Sequence, residues 1–356
     1  MPKVVVAGAL GLIGSSAVAH FESLGWEVVG LSRRAQASSS TTKYMAVDLT
    51  SAESCAQLAA LRDVDAVVYG ALYESPDLLG GWFDPKHTEI NTGMLRNLLD
   101  ALEPGNPGLR HVTAMQGAKA YGVHLGPTHP PLKERAPRHI HPNFYWTQED
   151  LLRERGARRG WKWTVFRPQG ILGLATGSAM NPLVYLGVYA AISRELGLPL
   201  VFPGTGEDVV LEATDARLLA KAIAWAIDSP SAADEIFNIT NGDVYTFRGL
   251  WPELARVFGM ETGLTQPMPL VKVMSGKDAV WSRIVQRHGL QDIALDTLVG
   301  ASWQSADFAL SDRHGARSQL MSTIKIRQAG FADCIDTVDS YSWWWRDLQK
   351  RKLLPD

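Results

Sequence analysis

The sequence predicts an α/β protein, a Rossmann-type doubly wound parallel sheet with a smaller, mostly helical C-terminal lobe. Three observations indicate this fold. Short β-branched runs alternate with segments of helical spacing through the first 170 residues. The first run ends in a glycine-rich turn, VVVAGALGLIG, which is typical of the strand-turn-helix unit that opens such sheets. Beyond residue 170 this alternation gives way to longer helical patterns.

Six strands are expected in the first lobe. They are KVVVAGA, WEVVGLSRR, YMAVDLT, VDAVVYGAL, LRHVTAMQG and WKWTVFRPQGILG. The segments IGSSAVAHFESLG, SAESCAQLAALR and TEINTGMLRNLLDALEP have the spacing of helices. Because strands and helices alternate, we expect a parallel sheet with its ligand at the carboxyl ends of the strands.

The second lobe is predicted to be mainly helical. Its helices are GSAMNPLVYLGVYAAISRELG, EATDARLLAKAIAWAID and RGLWPELARVFGM, whereas DEIFNITNG has the pattern of a strand that returns to the main sheet. The expected division is therefore a Rossmann domain at residues 1–170, with segments around 204–245 returning to it, and a substrate-binding lobe at 171–356.

Composition excludes several classes of protein. Of the 356 residues, 46% are hydrophobic and 20% are charged, which is ordinary for a folded globular chain. The formal net charge of -2 provides no basic field for nucleic acid, and no apolar run reaches the length of a membrane span. Cys55 and Cys334 lack the spacing of a metal or disulfide site. We expect a soluble, cytoplasmic protein that binds neither nucleic acid nor membrane.

The glycine-rich turn predicts a dinucleotide site. In such a turn one glycine permits the tight bend, one lets backbone amides approach a pyrophosphate, and one allows the helix to pack on the sheet. The alternative is an ordinary βα turn. The residues expected to bind the cofactor here are Gly8, Leu10, Gly11, Leu12, Ile13 and Gly14.

The end of the second strand predicts which cofactor binds. An acidic residue there would bind the ribose hydroxyls of NAD, whereas arginine accommodates the extra phosphate of NADP. The chain has Ser32, Arg33 and Arg34, so NADP(H) is expected unless the arginines are simply exposed. Asp48, followed by Leu49, lies where it would meet the adenine edge, although a helix N-cap region is an equal alternative for this aspartate.

A family resemblance extends from residue 4 to the C-terminal segment. Its motifs, in order, are GALGLIG, LSRR, NTGMLRNLLDAL, QGAKAYG, NFYWTQED, WTVFRPQGILG, SAMNP, FNITNGDVYTFRGLW and AGFADCIDTVDSYSWWWRDLQKRKLLP. Together they resemble the progesterone 5β-reductase and iridoid synthase-like enzymes (PRISE). The resemblance implies an atypical extended short-chain dehydrogenase that reduces conjugated C=C bonds with NADPH, and a possible homodimer.

The resemblance also implies the catalytic residues. Lys119 in GAKAY matches the family's lysine motif after strand five, and Tyr145 in FYWTQED matches its tyrosine. The next residue is Trp146, where plant members usually have a second tyrosine, which leaves Tyr145 as the candidate. Pro168, with Ile171, follows strand six, where family members place backbone beside the nicotinamide, although Pro168 also suits a strand end. The substrate-pocket candidates, which core packing would equally explain, are Trp82, Trp146, Met180 and Tyr185.

The residues around Tyr145 indicate the same chemistry. None of the nine tyrosines is followed four places on by lysine, so the usual dehydrogenase pair is absent. Glu149 occupies that place after Tyr145, and a nearby carboxylate opposes ionisation of a phenol. Tyr145 is therefore expected to remain a neutral donor. In the conjugate reduction that the resemblance implies, it would hydrogen-bond the enolate oxygen of a small apolar enone or enal, assisted by Lys119 from the end of strand five.

Three alternatives to this interpretation are a metal site, a nucleotide-sugar enzyme and a regulatory protein. His124, His129, His139 and His141 are expected to be solvated, with no metal site, since they lack ordered ligand spacing. An NAD(P)-dependent nucleotide-sugar epimerase or dehydratase would normally carry Tyr-x-x-x-Lys, which is missing. A non-catalytic NADP-binding regulatory protein would commonly have lost the catalytic pair, whereas this chain retains Lys119 and Tyr145.

Overall fold

The structure, a computed structural model, describes residues 1–34, 36–205, 209–310 and 319–356. Its strands are β1 (Lys3–Ala7), β2 (Glu27–Ser32), β3 (Thr42–Ala46), β4 (Ala66–Tyr69), β5 (His111–Met115), β6 (Lys162–Pro168), β7 (Ile171–Leu172), β8 (Thr214–Asp215) and β9 (Glu235–Ile239). Seven of them form one parallel sheet in the order β3-β2-β1-β4-β5-β6-β9, and β7 pairs with β8. The predicted α/β, Rossmann-type class is confirmed.

Helices cover both faces of the sheet and build the second lobe. They are α1 (Leu12–Ser23), α2 (Ala52–Cys55), α3 (Leu78–Gly81), α4 (Pro85–Leu102), α5 (Phe144–Arg159), α6 (Pro182–Glu195), α7 (Ala216–Asp228), α8 (Phe247–Val257), α9 (Leu270–Val273), α10 (Asp278–His288), α11 (Leu295–Val299), α12 (Ser302–Leu310), α13 (Ile324–Gln328) and α14 (Thr337–Lys350). Within the described ranges, no helix is long and apolar enough to cross a membrane.

The continuous apolar run of β1 reflects burial on both faces of the sheet. Side chains alternate along a strand, so Val4 and Val6 join the core beneath α1 and α7, whereas Val5 and Ala7 join the core beneath α4 and α5. A parallel sheet covered by helices on both sides selects for such uninterrupted runs. The order of the strands reverses between β1 and β4, and this switch point is where such sheets bind ligands.

Two predicted elements of the first lobe are divided into separate elements in the structure. The helix expected over SAESCAQLAALR ends at Cys55 and continues as a 3-10 turn over Ala56–Ala60. The sixth strand stops at Pro168, because Gly170 turns the chain with a φ of +56° and Ile171–Leu172 then pair with β8. A side chain at residue 170 would place its Cβ 2.7 Å from the carbonyl oxygen of Glu212.

The second half of the chain contributes to both lobes. Strand β9 pairs in parallel with β6, and α7 packs against α1 under the same face of the sheet. The second lobe has its own core around α6, which is buried from Pro182 to Ser193 and contacts α8, α10, α12 and α14. This packing places the second lobe after the carboxyl end of β6.

Candidate active site

The predicted catalytic residues come from separate elements at one edge of the sheet. Lys119 lies in a 3-10 turn, Ala118–Tyr121, that closely follows β5. Tyr145 lies in the first turn of α5, which leads into β6. Since β5 and β6 are neighbours and parallel, both residues meet at the carboxyl edge, where ligands of this fold bind.

Asn143 connects the two halves of this site. Its side-chain oxygen accepts a hydrogen bond from the backbone N–H of Tyr145 at 3.0 Å, so it is the N-cap of α5. Its side-chain nitrogen donates to the backbone oxygen of Lys119 at 3.2 Å. Gln116, directly after β5, donates to the backbone oxygen of Tyr145 at 3.1 Å. The backbone positions of Lys119 and Tyr145 are therefore fixed relative to each other.

Gly117 leaves a small space next to the Tyr145 hydroxyl and the backbone of Pro168. A Cβ atom at this position would lie 3.3 Å from the Tyr145 hydroxyl and 3.4 Å from the backbone oxygen of Pro168. Both distances are at or inside ordinary van der Waals contact. Tyr145 and Pro168, which the sequence assigned to catalysis and to the nicotinamide end of the cofactor, thus border the same small space.

Tyr145 is a buried residue, and its hydroxyl makes no hydrogen bond within the described part of the chain. The residue is 7% exposed. Burial raises the pKa of Tyr145, the negative charge of Glu74 raises it further, and Arg167 acts in the opposite direction. The phenol is therefore neutral at physiological pH, with its proton available to an acceptor that enters the site.

Lys119 is held between an acid and an aromatic ring. Its Nζ lies 3.5 Å from Glu74 Oε1 and 4.3 Å from the centre of the Trp82 ring. Burial lowers the pKa of Lys119, whereas Glu74 opposes that shift. The ammonium is thus an oriented, partly desolvated positive charge, which makes its electrostatic effect stronger than in water.

The structure corrects the role expected for Glu149. Its carboxylate lies 3.0 Å from Arg153 and 3.1 Å from Arg138, and 3.8 Å from Arg167. Glu74 is instead the carboxylate that opposes ionisation of Tyr145. Three arginines balance Glu149, so spacing along the helix alone did not identify the relevant acid.

The glycine-rich turn has the geometry that a dinucleotide requires. Gly8 has a φ of +81°, and a Cβ at Gly14 would lie 2.1 Å from the Gly8 oxygen. Gly11 is the N-cap of α1 and provides no side-chain hydrogen bond to its first turn, which leaves the helix N-terminus suited to phosphate. Leu10 and Leu12 are half-buried at this turn and Ile13 is buried beneath it. These residues fit the cofactor.

The residues predicted to select NADP surround the end of β2. Arg33 and Arg34 are exposed, and Ser32 donates a hydrogen bond to the Arg34 carbonyl. Asp48 is exposed after β3, and its side chain accepts two hydrogen bonds from Thr50. These bonds, with a smaller contribution from Arg33, lower the pKa of Asp48. The two arginines and the Asp48 carboxylate therefore lie just beyond the carboxyl ends of β2 and β3.

Leu49 and Ile171 occupy the other predicted cofactor positions. Leu49 is buried beneath Asp48, and its carbonyl oxygen accepts a hydrogen bond from Asn97 at 2.9 Å. Ile171 is half-buried at the start of β7, directly beyond the turn at Gly170. Both therefore follow carboxyl ends of strands in the main sheet.

The four pocket candidates occupy different surroundings. Trp82 lies against Lys119, and Trp146 follows Tyr145 and contacts the His139 ring at 5.3 Å. Met180 is half-buried just before α6. Tyr185 is 2% exposed within the core of the second lobe, so its placement favours the core alternative. Trp82 and Trp146 are the two that border the predicted catalytic pair.

The expectation of solvated histidines is wrong for three of the four. His124, His139 and His141 are half-buried and form a group with ring centres 5.6 to 6.3 Å apart. Burial, with Lys119 adding to it, lowers the pKa of His124 to about 4. The rings of Trp82, Phe83 and Trp146 pack against this group. No group of metal-ligating side chains in the described residues could hold an ion.

Sequence reasoning missed Glu74, His87, Asn143 and Gln116. Asn143 had a usable signal, since asparagine directly before a helical segment is a preferred N-cap. Gln116 follows the fifth strand, where ligand-site residues are expected. Glu74 and His87 gave no such signal, because their contacts to Lys119 and to each other depend on the packing of the loop after β4 on α4.

Comparison with known proteins identifies the family. The family model of the PRISE-like Rossmann-fold domain matches residues 50–341. The chain belongs to this family. PRISE relatives include an (S)-8-oxocitronellyl enol synthase from Nepeta cataria, 32% identical over 99% of this chain and 91% of the relative. A 3-oxo-Δ4,5-steroid 5β-reductase from Arabidopsis thaliana is 33% identical over 99% and 92%.

Solved structures share the fold of this PRISE chain. UDP-glucose 4-epimerase from Thermotoga maritima superposes with a TM-score of 0.68 at 16% identity, covering 98% of this chain and 99% of that one. At this identity the likeness shows the fold alone. The PRISE membership makes the protein an oxidoreductase. Its glycine-rich turn has the geometry that a dinucleotide cofactor requires.

Proposed function

We propose that the protein is an NADPH-dependent ene-reductase that reduces the conjugated C=C bond of small apolar enones or enals. The observation that carries the proposal is the unpartnered Tyr145 hydroxyl beside Gly117, with Lys119 supplied by a different element. The name of the Arabidopsis relative supports it, because a 3-oxo-Δ4,5-steroid has a C=C bond conjugated with a ketone.

The cofactor would be held by the turn of Gly8, Gly11 and Gly14, with its extra phosphate near Arg33 and Arg34. When bound, NADPH supplies a hydride, which in conjugate reduction is added to the β-carbon of the substrate. The protein's task is then to stabilise the charge that develops on the substrate's carbonyl oxygen.

Tyr145 would perform this task as a neutral hydrogen-bond donor. Its raised pKa keeps the proton on the phenol, and the enolate oxygen would accept a hydrogen bond from it. The Lys119 ammonium would add a favourable field without needing to reach the same oxygen. A preorganised donor of this kind typically contributes about 3–4 kcal/mol to the transition state.

The proposal is tested with purified protein, NADPH and a panel of small enones and enals. We expect NADPH oxidation and a saturated carbonyl product, and we expect Tyr145→Phe to reduce kcat about 100- to 1,000-fold. NADPH binding by the variant, measured by fluorescence titration, should remain near that of the wild type. Full turnover by Tyr145→Phe would exclude the role assigned to Tyr145.

Tyr69→Phe is the matched control. The Tyr69 hydroxyl also lacks a partner in the described residues, but Tyr69 ends β4 and is buried in the core beneath α4 and α5. Its removal should leave turnover unchanged. Equal losses in Tyr69→Phe and Tyr145→Phe would indicate a general effect on packing.

A further inference from the structure

The loop after β4 carries a buried acid to which the proposed reaction assigns no role. Glu74 has a side chain that is 12% exposed. Its Oε1 lies 3.5 Å from Lys119 Nζ, and its Oε2 lies 3.1 Å from His87 Nε2 on α4. Buried carboxylates are rare unless they are paired, and this one is paired on both sides.

Hydrogen bonds from α4 hold the backbone of this loop at Tyr73, directly before Glu74. Asn91 of α4, which is fully buried, accepts a hydrogen bond from the Tyr73 N–H at 2.9 Å and donates to the Tyr73 carbonyl at 3.0 Å. The same amide nitrogen donates to the His87 carbonyl at 2.9 Å. One helix therefore positions both the backbone beside Glu74 and the imidazole behind it.

Lys119 depends on Glu74 for its side-chain position. The hydrogen bonds that Asn143 and His139 make to Lys119 reach its backbone oxygen and not its side chain. In the described ranges, Glu74 is the carboxylate within ion-pair distance of its Nζ, and the Trp82 ring is its other close contact. Without the carboxylate, a flexible four-carbon chain would have only the indole to orient it.

We infer that Glu74 is a positioning residue for the reduction. Held by His87, it orients the Lys119 ammonium against Trp82 and keeps a negative charge near the Tyr145 phenol. The inference rests on the proposed ene-reductase function, because it assigns a role in the chemistry of the same pair.

Several charged and titratable groups face this pair. Lys119 is faced by Glu74 from the loop after β4 and by His124, and Tyr145 is faced by Glu74 and by Arg167 of β6. His87 of α4 faces Glu74, and the rings of His139 and His141 adjoin His124. Of these, Glu74 is the one that acts directly on both Lys119 and Tyr145.

The charge of Glu74 acts in the same direction on both catalytic groups. It raises the pKa of Lys119 against the effect of burial, and it adds to the effect of burial in raising the pKa of Tyr145. Loss of this charge would lower both pKa values. Each group would then lose its proton at a lower pH, and the alkaline limb of activity would move towards neutrality.

The first test is the pH profile of kcat/KM for Glu74→Gln, which preserves the size of the side chain. We expect its alkaline limb to move to lower pH by about 1 unit or more, as for loss of an opposite charge at this distance. Glu253→Gln, a control in α8 with a side chain that is 18% exposed and paired with Arg256, should keep the wild-type limb. An unchanged limb in Glu74→Gln would overturn the inference.

The second test needs no turnover. Trace acetylation of Lys119 by acetic anhydride, quantified by peptide mass spectrometry across pH, reports the titration of its amine. The midpoint should fall in Glu74→Gln and, to a smaller extent, in Glu74→Asp, which retains the charge but withdraws it from Lys119. An unchanged midpoint in both variants would refute the positioning role. Failure of the wild type to reduce any enone would instead count against the proposed function.

Discussion

Arg33 and Arg34, at the end of β2, are the residues on which the proposed preference for NADPH depends. Both are exposed and no carboxylate takes the usual place of a ribose-binding acid there. The double variant Arg33→Ala/Arg34→Ala should raise the KM for NADPH by about 10- to 100-fold, as expected for loss of hydrogen bonds to a charged phosphate. Steady-state kinetics with NADH should change little, because NADH lacks that phosphate.

The control for this pair is Arg283→Ala/Arg287→Ala, two exposed arginines of α10 that pair with Glu195 in the second lobe. These substitutions should change the KM for neither NADPH nor NADH. A loss that is equal for NADPH and NADH in the β2 variant would contradict the assignment of NADP.

The candidate catalytic residues could be proposed from sequence because each matches a short motif of the family that the chain resembles. Lys119 and Tyr145 were proposed from GAKAY and FYWTQED, and both lie at the carboxyl edge of the sheet, although their catalytic role stays a prediction. Glu74 could not be predicted, because its partners Lys119 and His87 are brought to it by tertiary packing. The same reason explains why Glu149, the neighbour along the helix, was mistaken for the acid near Tyr145.

At the level of the element, Asn143 at the N-terminus of α5 should affect both folding stability and activity, because it caps the helix and also contacts Lys119. Asn143→Ala removes the cap on Tyr145 N–H and the bond to the Lys119 carbonyl. We expect a loss of about 1–2 kcal/mol in the free energy of unfolding, measured by urea denaturation, together with a lower kcat because the two catalytic residues lose their shared anchor.

Asp336→Ala separates these two effects. Asp336 is the side-chain cap of α14, far along the chain from the catalytic residues. It should lower stability by a similar amount and leave kcat at the wild-type value. If Asn143→Ala also retains full kcat, Asn143 serves only the helix.

Element types were easier to predict than element ends. The β-branched runs of β1, β2 and β4 are buried on both faces, so their sequence pattern is unambiguous. The end of β6 was missed because its run continues through Gly170 into Ile171 and Leu172, which pair with β8 instead. A pairing partner some forty residues later leaves no local signal.

At the scale of the whole molecule, a parallel sheet brings distant segments to one edge. The loop after β4, the turn after β5 and the end of β6 contribute Glu74, Lys119 and Pro168, which are far apart in sequence. The order β3-β2-β1-β4-β5-β6-β9 makes the three strands neighbours. The candidate site is therefore a consequence of the strand order.

The free energy of unfolding should depend on pH through a second buried acid, Glu212. Its Oε2 accepts a hydrogen bond from the Met321 N–H at 2.7 Å, and burial raises the pKa of Glu212 from 4.5 to about 7. The folded protein therefore binds the proton more tightly than the unfolded chain does. Stability from this group is fully present below pH 4.5 and falls as pH rises towards 7.

Glu212→Gln should remove that dependence. The difference in unfolding free energy between variant and wild type, from urea denaturation, should grow in favour of the variant by on the order of 2–3 kcal/mol across this window. A difference that stays constant between pH 4.5 and pH 7 would show that Glu212 has the same pKa in the folded and unfolded protein.

The most direct test of the account is the fate of the transferred hydrogen. NADPH deuterated at the transferring position should be incubated with the wild-type protein and a small enone, and the label should be located in the product by NMR. We expect deuterium on the β-carbon of a saturated ketone, since Tyr145 is placed to stabilise an enolate. Deuterium on the carbonyl carbon of an allylic alcohol would contradict conjugate reduction.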